Sequence, residues 1–402
     1  EVVAARTTAH PLQPFSRRYF EPPRDAPGRG RPPGLFTYAS EWRAAHDAGP
    51  GDAPLPPPPP AAAAAAGAPA LQLTVSQLAR FLRNPVQAFF RHRLQVRFDE
   101  ADESTDDDEA FVTAGLDRWQ LLDEVLHGVR QAFAGAAGPQ LPDTVPAVER
   151  QVRRLQRAGR LPLGGPGAAV AAALVQTLVP MLAHWQALQA AHPQALDKQP
   201  LRLVHPEQAD LVFDDWLVDL RSSGEAAAVP VWIDLQPSRL ADDRRVHPRA
   251  DKLLAAWVRC LASAACGTPG DGLLIGADAV LRVRPPDAEQ ARATLCALLV
   301  DCRAGLAGDS PLPTAVRTGL ALLDGVERAR ATYEGSGFGG PPGEGREACL
   351  ARLFPDFASL LAAPDFEPAS RRLYAAYGAW LASHVTVDEL PAQATLGALD
   401  DD

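Results

Sequence analysis

The amino-acid sequence predicts an α+β fold, with one mixed central sheet flanked by helices. Three observations indicate this class. The chain is 47% hydrophobic and 22% charged, so most of its 402 residues can bury a core. Helical periodicity dominates residues 71–191. Short β-like runs, separated by turn residues, lie between residues 201 and 284 and alternate there with helices, as in an α+β or α/β domain.

We expect four stretches along the chain. Residues 1–48 join from a preceding domain. Residues 49–70 are a linker, because five consecutive prolines followed by six alanines favour a polyproline II spacer and a loose tract. Residues 71–390 form the main domain, and residues 391–402 are a tail. The chain begins with glutamate and its only methionine is Met181, so we expect it to be a piece of a longer polypeptide.

Helices account for the first half of the main domain. A capping box of Thr74 and Gln77 predicts a helix start, and Asn84-Pro85 interrupts that helix. The segment Asp99–Glu109 carries eight acids in eleven residues, which repel one another and indicate a solvated loop. Amphipathic patterns predict the next helices at Gly115–Phe133, Pro146–Gly159 and Ala168–Ala191.

Strands and helices then alternate in the second half. The predicted strands are Leu201–Val204, Leu211–Phe213, Trp216–Leu220, Val229–Leu235, Gly272–Ile275 and Ala279–Arg284. The predicted helices are Arg249–Ala265, Ala288–Ala304, Thr314–Ala331, Glu347–Leu361 and Ala369–His384.

Composition excludes several classes of protein. The net charge is −10, whereas a free-standing nucleic-acid binder usually has a basic surplus, so any DNA contact must come from a local basic patch or from partners. The five cysteines show no CxxC spacing, which indicates a reducing compartment and no zinc ribbon. The most apolar segment, Ala168–Leu188, contains Gln, Pro and His and favours a helix of a soluble protein. We therefore expect a cytoplasmic protein that does not cross a membrane.

A basic stretch with interleaved phenylalanines follows the capping box. Its arginines could contact DNA phosphates or a partner protein, pair with the acidic segment that follows, or form a solvated helix face. The candidate contact residues are Arg80, Arg83, Arg91, Arg93 and Arg97.

Several segments form an ordered set along the chain. They are His10–Phe20, Leu35–Tyr38 with Trp42, Leu78–Leu94, Val96–Phe98 with the acidic segment, Gly115–Leu121, and Arg157–Pro162 with Gly164. Together they resemble the C-terminal part of the gamma subunit of exodeoxyribonuclease V, the RecC family. The likeness covers nearly the whole chain except the linker and the last dozen residues.

The resemblance implies a fold and a role. The C-terminal domain of RecC is similar to the RecB nuclease domain, a restriction-endonuclease-like PD-(D/E)xK fold with helical additions, but is not a working nuclease. It follows helicase-like domains. The resemblance therefore implies a non-catalytic module that guides DNA and binds RecB-like and RecD-like subunits in a heterotrimeric helicase–nuclease of recombination and break repair. We expect no cofactor on this chain, Mg²⁺ and ATP being used by the partner subunits.

A nuclease site of this type needs three groups. One acid ends a strand, and the next strand carries a second acid, one residue and then lysine. Side chains two residues apart on a strand face the same way, so the second acid and the lysine meet. The carboxylates bind Mg²⁺, while the lysine orients water and offsets the charge that develops on phosphate.

In this chain the corresponding strand is in Val231–Ser238, with Asp234 at the acid position and Gln236 at the lysine position. Asp219 is the best candidate for the first acid. A neutral amide cannot replace a full positive charge. We therefore expect a degenerate, non-catalytic site of Asp219, Asp234 and Gln236.

Two other functions stay open. Lys252, on the next predicted helix, could supply the missing cation, which would make the chain an active Mg²⁺-dependent DNA exonuclease. The resemblance also places His127 loosely on a helix where RecB-type nucleases hold a metal-contacting histidine. A third reading is an acidic scaffold without a DNA role.

Overall fold

The computed structural model divides the chain into two units, Glu1–Ala68 and Pro69–Asp402. The expected linker 49–70, the acidic segment Asp99–Glu109 and the expected tail 391–402 lie outside the described residues. The residues that the structure describes are 7–13, 15–21, 35–38, 40, 42–43, 71–98, 115–134, 143–225, 228–242, 244, 246–268, 270–335 and 342–390.

The first unit contains a short 3₁₀ turn, Arg17–Tyr19. The Tyr19 ring is buried, and its hydroxyl lies 3.2 Å from Nδ1 of His10. His10 also makes an edge-on ring contact with Phe36, with centroids 6.1 Å apart. A small aromatic cluster thus orders this part of the chain.

The second unit contains the helices and strands of the main domain. The helices are α1 Val75–Arg83, α2 Pro85–His92, α3 Gly115–Ala134, α4 Thr144–Arg157, α5 Gly164–Ala191, α6 Ala250–Ala265, α7 Ala288–Ala307, α8 Val316–Asp324, α9 Val326–Glu334, α10 Ala348–Leu353, α11 Phe357–Leu361 and α12 Phe366–His384. The strands are β1 Leu71–Leu73, β2 Gln194–Ala195, β3 Gln199–His205, β4 Gln208–Leu217, β5 Leu220–Ser222, β6 Val231–Leu235, β7 Asp271–Ile275, β8 Ala279–Val283 and β9 Val385–Glu389.

The central sheet has six strands in the order β2-β5-β6-β7-β8-β9. Strands β6 and β7 are parallel and are joined through α6, while the other neighbours are antiparallel. This mixed sheet with helices confirms the α+β class. Strand β9, which sequence patterns did not predict, closes one edge of the sheet by pairing with β8.

The expectation of a single sheet is wrong. Strands β1, β4 and β3 form a second, three-stranded sheet in that order, with β1 parallel to β4. The predicted strands Leu211–Phe213 and Trp216–Leu220 are also divided differently, since β4 runs without a break through Leu217. The break falls at Asp219, whose φ of 58° interrupts the extended backbone before β5.

Two hydrophobic clusters cover the two faces of the central sheet. The alternation of β6 separates them, because Val231, Ile233 and Leu235 belong to one cluster and Trp232 belongs to the other. Helices α3, α4 and α5 contribute to the first of these clusters, and α1, α6, α7 and α12 contribute to the second. The sheet therefore separates two layers of helices.

Local sequence signals place the helices that border the site. The capping box is confirmed, since the Gln77 N–H donates to Thr74 Oγ1 (3.3 Å) and the Thr74 N–H donates to Gln77 Oε1 (2.9 Å). Asn84 ends α1 and caps α2, where its Oδ1 accepts from the Gln87 N–H at 2.9 Å. Pro85 then occupies the first position of α2, where a missing N–H costs nothing.

Helix α5 is long and apolar enough to cross a membrane by length and composition alone. Its buried residues include Leu174, Leu178, Leu182 and Trp185, which pack in the cluster formed with α3, α4 and one face of the central sheet. The core helix of a soluble protein passes the same test of length and composition.

Candidate nucleic-acid interface

Strand β6 brings Asp234 and Gln236 together, as the two-residue spacing predicts. The Gln236 N–H donates to the Ile275 carbonyl at 2.9 Å, which extends the pairing with β7 by one residue. The Gln236 side chain then donates from Nε2 to Asp234 Oδ2 at 3.1 Å. A neutral amide therefore contacts the acid at the position where the sequence resemblance implies lysine in an active nuclease.

The cation beside Asp234 comes from α6. Arg259 Nη1 lies 3.6 Å from Asp234 Oδ2, and its guanidinium carbon lies 4.6 Å from the centre of the Trp232 ring. Gly272 faces Trp232 across the β6–β7 pair, and a Cβ there would lie 2.1 Å from Cζ2 of the indole. Glycine therefore makes room for the indole, and the indole supports Arg259 next to the acid.

Asp219 pairs with a different arginine. Its carbonyl accepts from the Ile233 N–H at 3.4 Å, which holds it at the start of β5. Its carboxylate Oδ2 lies 3.4 Å from Arg130 Nη2 on α3, whereas Arg259 belongs to α6 on the other face of the sheet. The structure thus groups Asp234 with Gln236, but helices of two different layers hold the carboxylates of Asp219 and Asp234.

An open cleft of about 880 Å³ lies beside Gln236 and is called here the Gln236 cleft. Its walls come from the C-terminal end of α1, the start of α3, the segment after β6 and the start of α6. Trp119, which is 42% exposed, and the buried Leu122 also line the cleft. The cations that line the cleft are Arg83, Arg118, Arg239, Arg249 and Lys252.

The electrostatic balance of the Gln236 cleft is positive. Asp278 is the one carboxylate among the described residues that line it. This carboxylate is 7% exposed, lies 3.3 Å from Arg239 Nε and accepts from the Leu240 N–H at 2.7 Å. Arg249 and Lys252 both approach Asp251, at 3.2 and 3.8 Å. Arg83 and Arg118 form no ion pair with any carboxylate of the described residues. An acidic chain therefore presents a local surplus of positive charge next to Gln236.

Histidine ligation is not part of this arrangement. His127 is exposed on α3, and its Nε2 lies 2.8 Å from Nε2 of Gln131, one helical turn further along. Within the part of the chain that the structure describes, no group of three His, Cys, Asp or Glu side chains is placed to hold a metal ion.

The predicted basic stretch is split between separate places. Arg83 lines the Gln236 cleft, while Arg80, Arg91 and Arg97 line a second cleft at α2. Arg93 lies in neither, and its Nη2 is 3.9 Å from Asp309 Oδ1.

Sequence reasoning did not predict that residues of α3 line the Gln236 cleft, or that Arg259 of α6 contacts Asp234. Arg118 and Trp119 fall within the Gly115–Leu121 segment, but nothing local says that they face β6. Arg259 could have been found, since it follows Lys252 by seven residues, which is two helical turns on the same face. Arg130 has no comparable signal, because its partner Asp219 is distant in sequence.

Comparison with known proteins adds an independent result. The chain is 28% identical over 327 residues to the RecBCD enzyme subunit RecC of Escherichia coli (strain K12). That match covers 79% of this chain and 24% of the relative, so the chain spans about a quarter of the length of that protein. The family model of the RecC C-terminal domain matches residues 70–327, which is more than half of the chain. The chain therefore belongs to the RecC C-terminal domain family.

Proposed function

We propose that this chain is a non-catalytic, DNA-guiding and partner-binding module of a RecBCD-type helicase–nuclease that acts in double-strand-break repair and recombination. The observation that carries the proposal is the Gln236 cleft, where the described lining residues include five cations and one buried carboxylate next to the acid–amide pair of Asp234 and Gln236.

The side chains of the Gln236 cleft suit a phosphodiester backbone. Guanidinium groups donate paired hydrogen bonds to phosphate oxygens, and Lys252 adds a compact positive charge. Trp119 presents an exposed indole in the same cleft, on which an unpaired base can stack. A single strand passing through the cleft would thus contact both charge and a ring.

Residues that do not line the Gln236 cleft disfavour hydrolysis as well. Each candidate acid already has a guanidinium neighbour, Asp234 with Arg259 and Asp219 with Arg130. Arginine stays protonated in proteins, so these groups cannot accept a proton from water. The strand is therefore held and directed here without being cut.

The module works within a larger assembly in this proposal. Support comes from the relative, whose name describes it as a subunit of the RecBCD enzyme. The partners are RecB-like and RecD-like subunits in a heterotrimer, together with DNA, and the site of action is the cytoplasm without a membrane. The chain itself binds no cofactor, and Mg²⁺ and ATP are used by the partner subunits.

Binding of a fluorescein-labelled single-stranded oligonucleotide to the full chain tests the proposal by anisotropy. Replacing Arg118 and Lys252 with glutamine removes two cations from the Gln236 cleft. Because each cation neutralises a phosphate, we expect about tenfold weaker binding and a shallower salt dependence.

The matched control is the double replacement of Arg346 and Arg352 with glutamine, since both arginines are exposed and lie outside the Gln236 cleft. It changes the net charge equally. If the Arg118/Lys252 variant bound DNA as tightly as this control, the Gln236 cleft would not be the interface.

One observation favours a second function, an active Mg²⁺-dependent DNA exonuclease with a relocated lysine. Lys252 lines the same cleft as Gln236, so a cation is present near the lost lysine position. The pairing of Asp219 and Asp234 with arginines of different helix layers weighs against it.

A further inference from the structure

A second cleft, of about 390 Å³, lies between β1, α1 and α2 and is called here the α2 cleft. Its volume falls within the usual range of small-ligand sites, roughly 300–1,000 Å³. The residues that give it positive charge are Arg80, Arg91 and Arg97.

The chain folds back after α2 to form this cleft. Gln95 adopts a left-handed conformation, with φ of 56°, and donates from Nε2 to the His92 carbonyl at 2.8 Å. The Val96 N–H then donates to the Phe90 carbonyl at 2.9 Å, and Phe98 packs on Phe90 with centroids 5.2 Å apart. These contacts return Arg97 to the wall that carries Arg80 and Arg91.

The charges of the α2 cleft lack compensation among the described residues. The described residues that line it include no Asp or Glu, and Arg80, Arg91 and Arg97 form no ion pair with a described carboxylate. Burial raises the pKa of the Cys302 thiol to about 12, so this wall residue brings no negative charge at neutral pH. The cleft therefore attracts an anion.

The rest of the lining suits a flat polar group as well as a phosphate. Gln77 uses its Oε1 on the Thr74 N–H, and Gln87 uses its Nε2 on Glu347 Oε1 at 3.1 Å. The opposite atom of each amide, together with the Gln72 amide, can pair with donors and acceptors of a base edge. Leu71, Leu73, Phe81, Ala88 and Leu306 supply an apolar lining.

We propose that the α2 cleft holds one nucleotide of single-stranded DNA, with its base inside the cleft and its flanking phosphates on Arg80, Arg91 and Arg97. This inference rests on the proposed DNA-binding function. Helix α1 connects the two clefts, because Arg80 lines the α2 cleft and Arg83, one turn further along, lines the Gln236 cleft. One strand can therefore occupy both. An acidic peptide would satisfy the arginines but has no planar group for the amides and the apolar lining.

The test uses the full chain and an oligonucleotide of about 16 nucleotides that contains one 2-aminopurine, whose fluorescence rises when the base leaves its stack. We expect binding to raise the fluorescence. Replacing Arg80 and Arg97 with glutamine should weaken binding about tenfold, and Gln72→Ala should reduce the fluorescence rise. All three residues are exposed, and the thermal midpoint of each variant checks that it is folded.

Three outcomes separate this inference from the proposed function. If the Arg118/Lys252 variant loses DNA while the Arg80/Arg97 variant matches the Arg346/Arg352 control, the α2 cleft inference is overturned and the proposed function stands. If neither cleft variant weakens binding, both fail. If a polyglutamate peptide displaces the fluorescence signal as efficiently as unlabelled oligonucleotide, the α2 cleft is an acidic-peptide site and the inference is again overturned.

Discussion

At the scale of single residues, Glu344 shows how a distant side chain can complete a helix. Helix α8 has Ala315 at its N-cap, which offers no side-chain acceptor. The Glu344 carboxylate supplies the missing acceptor. It accepts from the N–H groups of Arg317 (3.1 Å) and Thr318 (2.6 Å) and from Thr318 Oγ1 (2.7 Å). Burial raises the pKa of this carboxyl, while the hydrogen bonds from Thr318 oppose the rise.

This pKa shift predicts a pH dependence of stability. A carboxyl whose pKa is raised in the folded state stabilises the fold below its unfolded pKa of about 4.3, and that contribution is lost as the pH rises through the folded pKa. Glutamine does not titrate. We therefore expect the stability of the wild type relative to Glu344→Gln to fall as the pH rises from about 4 to 7.

Urea unfolding of both proteins across that range measures the difference. Glu334→Gln serves as the control, because Glu334 is exposed on the neighbouring helix α9. A difference between wild type and Glu344→Gln that stays constant with pH would contradict the prediction.

At the scale of elements, Gly325 decides where two helices end and begin. The pattern predicted one helix over Thr314–Ala331, but the structure has α8 and α9 on either side of Gly325. That glycine has φ of 138°, which residues with a Cβ rarely adopt. Ala321 and Leu322 before the break share one hydrophobic cluster with Ala329 after it. The apolar periodicity therefore continues across Gly325, and the sequence pattern does not reveal the break.

Replacing Gly325 with alanine should lower the free energy of unfolding by about 1–3 kcal/mol, because the backbone conformation would be strained. Gly165→Ala is a matched substitution in the first turn of α5, where a Cβ meets nothing within 4 Å. It should raise the free energy of unfolding by about 0.4–1 kcal/mol by restricting the unfolded chain. Denaturant titration of the two variants measures both changes in the free energy of unfolding. If both variants were destabilised, or both stabilised, the backbone conformation of Gly325 would not explain the difference.

At the scale of the whole main domain, the central sheet separates the two helix layers that each supply an arginine to one candidate acid. Asp234 is held by Arg259 from the layer of α6, and Asp219 is held by Arg130 from the layer of α3. A Mg²⁺ ion in a nuclease site needs oxygen ligands that converge on one point. In the proposed degenerate site, the glutamine at the lysine position is thus only one of the differences from an active nuclease.

Restoring the lysine by Gln236→Lys should therefore produce no cleavage of linear single- or double-stranded DNA in Mg²⁺ or Mn²⁺. Gel analysis of the full chain, beside an Asp234→Ala protein, checks this. Cleavage by the unaltered chain that is lost in Asp234→Ala and in Lys252→Gln would instead establish the relocated lysine and the exonuclease function.

The sequence by itself determined the class and most elements of this protein, because helix periodicity, strand alternation and caps such as Thr74 with Gln77 depend on neighbouring residues. Two-residue spacing likewise predicted the contact between Asp234 and Gln236. Only the tertiary structure decided that β1, β3 and β4 pair in a separate sheet. It also decided that Arg83, Arg118 and Lys252 line one cleft. Those arrangements depend on packing between segments far apart in the chain, which no local pattern encodes.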